Sequence, residues 1–265
     1  MAPQLPNDFS QALTAARYEI LKYLRGRKLL VFLLLTGLIL VLLTAAPYLL
    51  GVDLPDDPRS FMTLYLSFGS ILVILAATLF SADSLATEYE HRTGFLVFTQ
   101  PMKREALFAG KFMASFAVSA VMISIFYLAV YLLSLAITGE VLNDGYTSLG
   151  LALLYVLAAT GFGFLLSAFM SRATTAAILV FATLLLVFPI IDSVLMFSSV
   201  DPWFSITQAG ESLYYVVTGQ AGEVVPMPGF GDVYYSEVNT SAAVLAAWAA
   251  LTSIIALLKF KTREL

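Results

Sequence analysis

The chain has no cysteine, a single histidine (His91), and few charges: only 12% of its 265 residues are Asp, Glu, Lys or Arg, while 60% are apolar. Each shortage excludes something. Without cysteine there is no disulfide, no thiolate metal site and no cysteine nucleophile. One histidine cannot build a multi-histidine metal centre within one chain. Soluble domains carry roughly 25% charged and roughly 45–50% apolar residues, so this composition has more apolar surface than a fold of this length can hide from water. It is the composition of an integral membrane protein. No cleavable signal peptide is expected, because the first long apolar run begins only near Leu29, behind a charged segment, and is too long for an h-region.

What is present is organised by hydropathy. A hydrocarbon core of about 30 Å needs about 20 mostly apolar helical residues. Six runs meet that length: 29–50, 61–82, 112–137, 148–170, 173–197 and 241–260. The spacing therefore predicts an all-α polytopic protein of six transmembrane helices, with only Ser171 and Arg172 turning the fourth span into the fifth. The positive-inside rule orients it. With both termini in the cytoplasm, Arg17, Lys22, Arg25, Arg27, Lys28, Arg92, Lys103, Arg104, Lys111, Arg172, Lys259, Lys261 and Arg263 all fall inside, which is 13 of the 14 basic residues and leaves only Arg59 outside. The acidic residues Asp53, Asp56, Asp57, Glu140, Asp144, Asp201, Glu211, Glu223, Asp232 and Glu237 fall on the outer side. The expected location is the plasma membrane.

The segments between spans divide the chain further. Residues 1–28 are expected to form an amphipathic interfacial helix, with Phe9, Leu13, Ala16, Ile20 and Leu24 on one stripe and basic residues beside it. Residues 29–265 then form the six-span domain. Residues 83–111 make a polar cytoplasmic connection. Residues 198–240 make a long, acidic outer loop containing Pro202, Pro226 and Pro228. A short helix is expected near 205–217, with one or two short helices folding back over the outer mouth, as a gate or as a docking place for an outer partner.

The most specific stretch runs Phe80-Ser-Ala-Asp83, Glu88-Tyr-Glu90-His-Arg92-Thr93-Gly94, Gln100-Pro101-Met-Lys-Arg104 and Gly110-Lys111. It resembles the hallmark of ABC-2 type transporter permeases. There the second span enters an acidic segment, then E-x-x-x-G-T or a near variant, a short apolar patch, Pro-x-x-Arg, and Gly-Lys as the third span begins. Here the order is Arg92-Thr93-Gly94. The resemblance covers the whole chain, including Glu19 in the N-terminal helix and the Phe-Lys-x-Arg tail, and is nearest to the compact NosY-like and antibiotic- or sodium-export branch. It implies a permease that dimerises with an identical or homologous subunit and is driven by two separate P-loop ATPases, which bind the ATP and magnesium; this chain would carry no cofactor of its own. The coupling element would comprise Glu88, Glu90, Arg92, Thr93, Phe95, Leu96, Phe98, Pro101 and Arg104.

The residues themselves allow that role. Thr93–Phe98 is an apolar patch with charges on either side, the usual make-up of a protein interface. Thr99 is placed to cap a helix beginning at Pro101. The competing reading is plain: Lys103, Arg104 and Lys111 serve as positive-inside anchors, and Asp83, Glu88 and Glu90 pair with bases inside the loop. In the membrane the spans are nearly free of charged groups at depth, and Asp192, three residues after Pro189, is the exception. It either lines a translocation path or sits at the outer aqueous boundary. Gly69, Gly161 and Gly163, with Ser70, Ala76 and Ala77, suit close helix packing or a dimer seam. Tyr127, Tyr131 and Tyr155 are expected among the lipid-facing or interfacial aromatics.

Function classes narrow accordingly. No G-x-x-x-x-G-K-[ST] loop occurs, so the chain does not bind nucleotide through a P-loop. Intramembrane proteolysis would need a histidine or a pair of aspartates within spans, and the expectation is that the chain is no enzyme. Nothing in the sequence suggests a nucleic-acid partner. The alternative to an ATP-driven exporter is a stand-alone secondary transporter or channel, which calls for ionisable groups or broken helices near mid-membrane.

Overall fold

A computed structural model describes residues 7–51, 53–90, 103–227 and 231–263. Six helices among them are long and apolar enough to cross a bilayer: Arg27–Leu50, Pro58–Phe80, Arg104–Ile137, Asp144–Phe169, Ala173–Phe197 and Val238–Thr262. These are the six expected runs; the fifth keeps its expected bounds, and the other five begin earlier, in residues that hydropathy alone does not assign to a span. The chain is a polytopic, predominantly helical membrane protein. The ends of its spans that carry the termini are called the termini face below.

α1 (Asp8–Arg25) ends at Gly26, and α2 (Arg27–Leu50) forms the first span. The second span comes in two pieces, α3 (Pro58–Leu66) and α4 (Gly69–Phe80). Asp57 starts it, its carboxylate accepting the Ser60 backbone N–H at 2.9 Å, with Pro58 in the first turn where its missing N–H costs nothing. A five-residue helix, α5 (Ala86–Glu90), follows. α6 (Arg104–Ile137) is 34 residues long; at about 1.5 Å per residue it spans about 51 Å, well beyond the hydrocarbon core. The helix expected to begin at Pro101 starts at Arg104 among the described residues, because Lys103 is extended and its N–H is taken by the Gln11 side chain at 3.1 Å. α7 (Asp144–Phe169) is the fourth span. The fifth consists of α8 (Ala173–Ala182), a π-helical turn (Thr183–Val187) and α9 (Phe188–Phe197). Pro189 explains the turn: it offers no N–H and its ring crowds the preceding carbonyls. α11 (Val238–Thr262) is the sixth span.

α7 is the central helix. α11 lies along it, with α4, α6 and the outer helix α10 (Ile206–Thr218) also packed against it. Lipid is as apolar as leucine, so helices in a bilayer associate through small residues and internal hydrogen bonds. Gly163 of α7 meets Ser81 and Gly161 meets Thr252 of α11, while Gly69 seats Leu213 of α10. All three glycines thus serve contacts within one chain, which corrects the dimer-seam expectation for them. Tyr127 and Tyr155 are likewise buried rather than lipid-facing. The hydroxyls of Tyr127 and Tyr131 explain the placement, since each finds a partner: Tyr127 bonds Ser148 Oγ at 2.8 Å and Tyr131 donates to the Gly145 carbonyl at 2.7 Å. The first and fifth spans are peripheral; α2 buries only Phe32 and Thr36.

The 198–240 segment carries the expected short helix and, beside it, a hairpin that was not expected. Among the described residues it holds one helix, α10, close to the expected 205–217, and an antiparallel hairpin of β1 (Val224–Met227) and β2 (Gly231–Tyr234). α10 is wedged among α7, α11, α3 and α4 with Ile206, Ala209, Leu213 and Val217 fully buried.

Candidate functional site

The termini face gathers the charged residues around one buried lysine. α1 crosses α6 at Gly110, where a Cβ would run into the Ala12 carbonyl and the Ala15 side chain. That close approach brings Glu19 of α1 to Lys111 of α6. The Lys111 ammonium lies 3.2 Å from Glu19 Oε2 and 2.8 Å from Glu88 Oε1, and donates to the Ser84 carbonyl at 3.2 Å. Lys111 is 3% exposed. A charge this deep persists only when its donors are all used, and here two carboxylates and a carbonyl take them. Burial alone pushes the Glu19 carboxyl up, but Lys111 and then Lys22 outweigh it and hold the group below its ordinary range. Lys22 reaches Glu19 Oε1 at 2.9 Å. Beside the cluster, Tyr23 donates to the Phe80 carbonyl at 2.6 Å and bonds Ser115 Oγ at 2.9 Å, fixing α1 to the end of the second span; burial, then Glu19, keep its phenol well above the usual range.

α5 is too short to persist alone, and its neighbours hold every turn of it. The Ser167 hydroxyl of α7 accepts the N–H groups of Leu85 and Ala86 at 3.0 and 2.9 Å. Glu88 pairs with Lys111 as above. The Tyr89 ring lies 3.9 Å beneath the Arg263 guanidinium of the C-terminal tail, a cation–π contact. Glu90 accepts the Ala173 N–H at 2.8 Å and so caps α8. Just upstream, Asp83 pairs with Lys28 at the start of the first span.

The other flank is pinned as firmly. Lys103 pairs with Asp8 at 2.7 Å, which raises the lysine's pKa. Arg104 donates to the Lys261 and Arg263 carbonyls at 3.0 and 3.1 Å, at the end of α11, and Lys261 pairs with Glu105. Arg263 donates to the Ala168 and Met170 carbonyls at 2.7 and 2.8 Å, closing the end of α7. Cations placed on helix C-termini in this way satisfy otherwise unpaired carbonyls.

Of the expected coupling residues, Glu88, Glu90 and Arg104 therefore belong to this frame. Arg92, Thr93, Phe95, Leu96, Phe98 and Pro101 lie outside the described residues, as does Thr99. The frame holds Glu90 and Lys103, the described residues that border 91–102. Sequence reasoning missed its centre: Lys111 read equally well as a topology anchor. The available signal was a second stripe on α1, with Ala12, Ala15, Ala16, Glu19 and Tyr23 at helical spacing, all buried. Of the expected stripe, Ala16 belongs to this buried face and Ile20 is half-buried, while Phe9, Leu13 and Leu24 are exposed. α1 thus has one face for α6 and a separate apolar face left uncovered.

On the opposite face, Asp192 does not sit at an open boundary; it is 5% exposed. Its Oδ2 accepts the hydroxyls of Ser205 at 2.9 Å and Thr207 at 2.6 Å, which ties the fifth span to the N-terminus of α10. Arg59 joins Asp144 at 2.9 Å to the Val217 carbonyl at 3.0 Å at the other end of α10. Among the described residues no group of three or more His, Cys, Asp or Glu is placed to hold a metal ion.

Residues 30–265 match a family model described as "Protein of unknown function (DUF2705)". No curated protein matches the chain.

Proposed function

The chain belongs to the DUF2705 family, and we propose that it is the membrane-spanning subunit of an ATP-driven ABC exporter in the plasma membrane, working as a dimer. Both termini and the buried frame would lie in the cytoplasm. One observation carries the reading: Glu90 and Lys103, the residues that border 91–102, belong to a frame that unites the N-terminal helix, the C-terminal tail and the near ends of all six spans. Force applied between these two anchor points would pass into the frame. A closing ATPase that pushed there would move α1, α5 and the base of α6 together through Lys111, and with them the spans. Two P-loop ATPase subunits would bind ATP and magnesium; the chain would supply the path and no catalysis. The peripheral first and fifth spans leave apolar faces for lipid or for the second permease subunit. Movement becomes transport only if the two states differ in substrate affinity.

The test is to purify the tagged chain from native membranes in mild detergent, identify what accompanies it and assay ATP hydrolysis. A stoichiometric P-loop ATPase is expected. Recovery of the chain alone, without ATPase activity even when candidate ATPases are co-expressed, overturns the proposal.

One observation favours the stand-alone transporter as the second reading. The second span is broken at 67–68, the fifth contains a π turn, and the fifth carries buried Asp192; interrupted spans with a buried acid are features of secondary transporters. Transport by the purified chain without any ATPase would decide for it.

A further inference from the structure

A cavity of about 220 Å³ opens between the end of the fifth span, α10 and β2, on the face opposite the termini. Asp192, Thr207, Gln208, Glu211, Tyr215 and Met196 line it. Asp192 is more than nine-tenths buried, yet only its Oδ2 is satisfied; Oδ1 is buried with no hydrogen-bond partner. A carboxylate has about four acceptor sites, and an unmatched one away from water is costly. Glu211, on the turn of α10 after Thr207 and Gln208, faces the same space. No lysine, arginine or histidine lines it. The base on this face, Arg59 of α3, lies against Gly219 at the far end of α10, where it is engaged with Asp144 and the Val217 carbonyl. The cavity therefore presents two carboxyl groups whose protein donors are neutral, the Ser205 and Thr207 hydroxyls on Asp192 and the Ser70 hydroxyl beside Glu211, and one acceptor, Asp192 Oδ1, without a partner.

From this arrangement we propose that the cavity binds a primary ammonium group, its N–H donors meeting Asp192 Oδ1 and the Glu211 carboxylate, its carbon substituent lying against Tyr215 and Met196. A bare metal ion fits less well. Such ions require several converging oxygens, no group of three acidic or imidazole side chains is gathered among the described residues, and half of the wall is hydrocarbon or aromatic. An aromatic face beside a cation adds attraction. The volume is below the roughly 300–1,000 Å³ of pockets for drug-sized ligands, so the guest is a small amine or the amine head of something larger. A free amine and an ethanolamine phospholipid head present the same chemistry; the tails of the lipid would run along exposed Ile190, Val194 and Phe197 of α9. The inference does not depend on the exporter reading.

The experiment uses the full chain in phosphatidylcholine nanodiscs, titrated with ethylammonium chloride and, at equal ionic strength, with tetramethylammonium or sodium chloride, while the unfolding midpoint is followed. Ethylammonium is expected to raise the midpoint saturably and the other two salts are not. Glu211→Gln, which leaves the Asp192 links to α10 intact, should weaken the response about tenfold, as for loss of a charged hydrogen bond; Asp192→Asn should abolish it. Replacing the lipid with phosphatidylethanolamine separates the sources. If it suppresses the ethylammonium response by competition, the lipid head is the guest; if the response persists, a free amine is. No response to any salt, an equal response to all three, a response to sodium alone, or an undiminished response in Glu211→Gln overturns the proposal.

Discussion

Lys111 illustrates how one side chain can be both a charge and a fastener. Its ammonium is shared by Glu19 and Glu88 at the point where α1, α5 and α6 meet. Removing one partner from a buried ion pair leaves the other charge stranded, at about 3–5 kcal/mol. Lys111→Ala is therefore expected to lower stability by about that amount in a denaturant titration, and adding Glu19→Gln and Glu88→Gln should recover part of it by removing the stranded carboxylates. Acid acts on the same cluster with a definite sign. The Glu19 pKa lies below its ordinary 4.5 in the folded chain, so its contribution is present above about 4.5 and disappears as pH falls through the lowered value. Protease resistance of α1 should decline across that window, and Glu19→Gln should remove that part of the pH dependence. Sequence alone gave Lys111 no privileged status, since a lysine at a span's end satisfies the positive-inside rule whether or not it meets an acid. Only the crossing at Gly110 distinguishes the two.

At the scale of elements, that crossing is the feature to break. Gly110 leaves no room for a side chain against the α1 backbone, so Gly110→Val should lift α1 from α6. The expected result is faster amide exchange throughout 8–25 with little change in α7. The six spans and α10 were legible because each is one unbroken signal: a long apolar run, or an amphipathic period bounded by Ser205 and Gly219. The hairpin was not legible. Its strands are four residues each, one contains Pro226, and the other is half polar, so no alternation marks them. The two faces of α1 were half legible, since leucine and phenylalanine draw the eye to the uncovered stripe and alanines hide the packed one. The buried tyrosines were misjudged for a similar reason: an aromatic in an apolar helix looks the same whether its hydroxyl reaches lipid headgroups or a carbonyl within the bundle.

For the whole molecule, the account requires that the frame and the α10 face lie on opposite sides of a membrane. The absence of cysteine makes this directly measurable. Single cysteines at the exposed positions Ser10 and Asp56 should differ completely toward an impermeant maleimide in intact cells: Asp56→Cys labelled, Ser10→Cys protected until the membrane is opened. Sequence carried the number of spans and an orientation through the asymmetry of its basic residues; it did not carry the frame, several of whose contacts join residues more than 80 positions apart, such as Leu85–Ser167 and Ala173–Glu90. The central claim is that residues 91–102 touch the ATPase. Its most direct test is a photo-reactive amino acid placed at Phe95 or Phe98 of the chain co-expressed with its ATPase, with Tyr214 on the opposite face as control. The account predicts a cross-link to a P-loop subunit from Phe95 or Phe98 that changes in yield when ATP is bound, and none from Tyr214. Absence of the cross-link at both positions from an assembled, ATP-hydrolysing complex would contradict it.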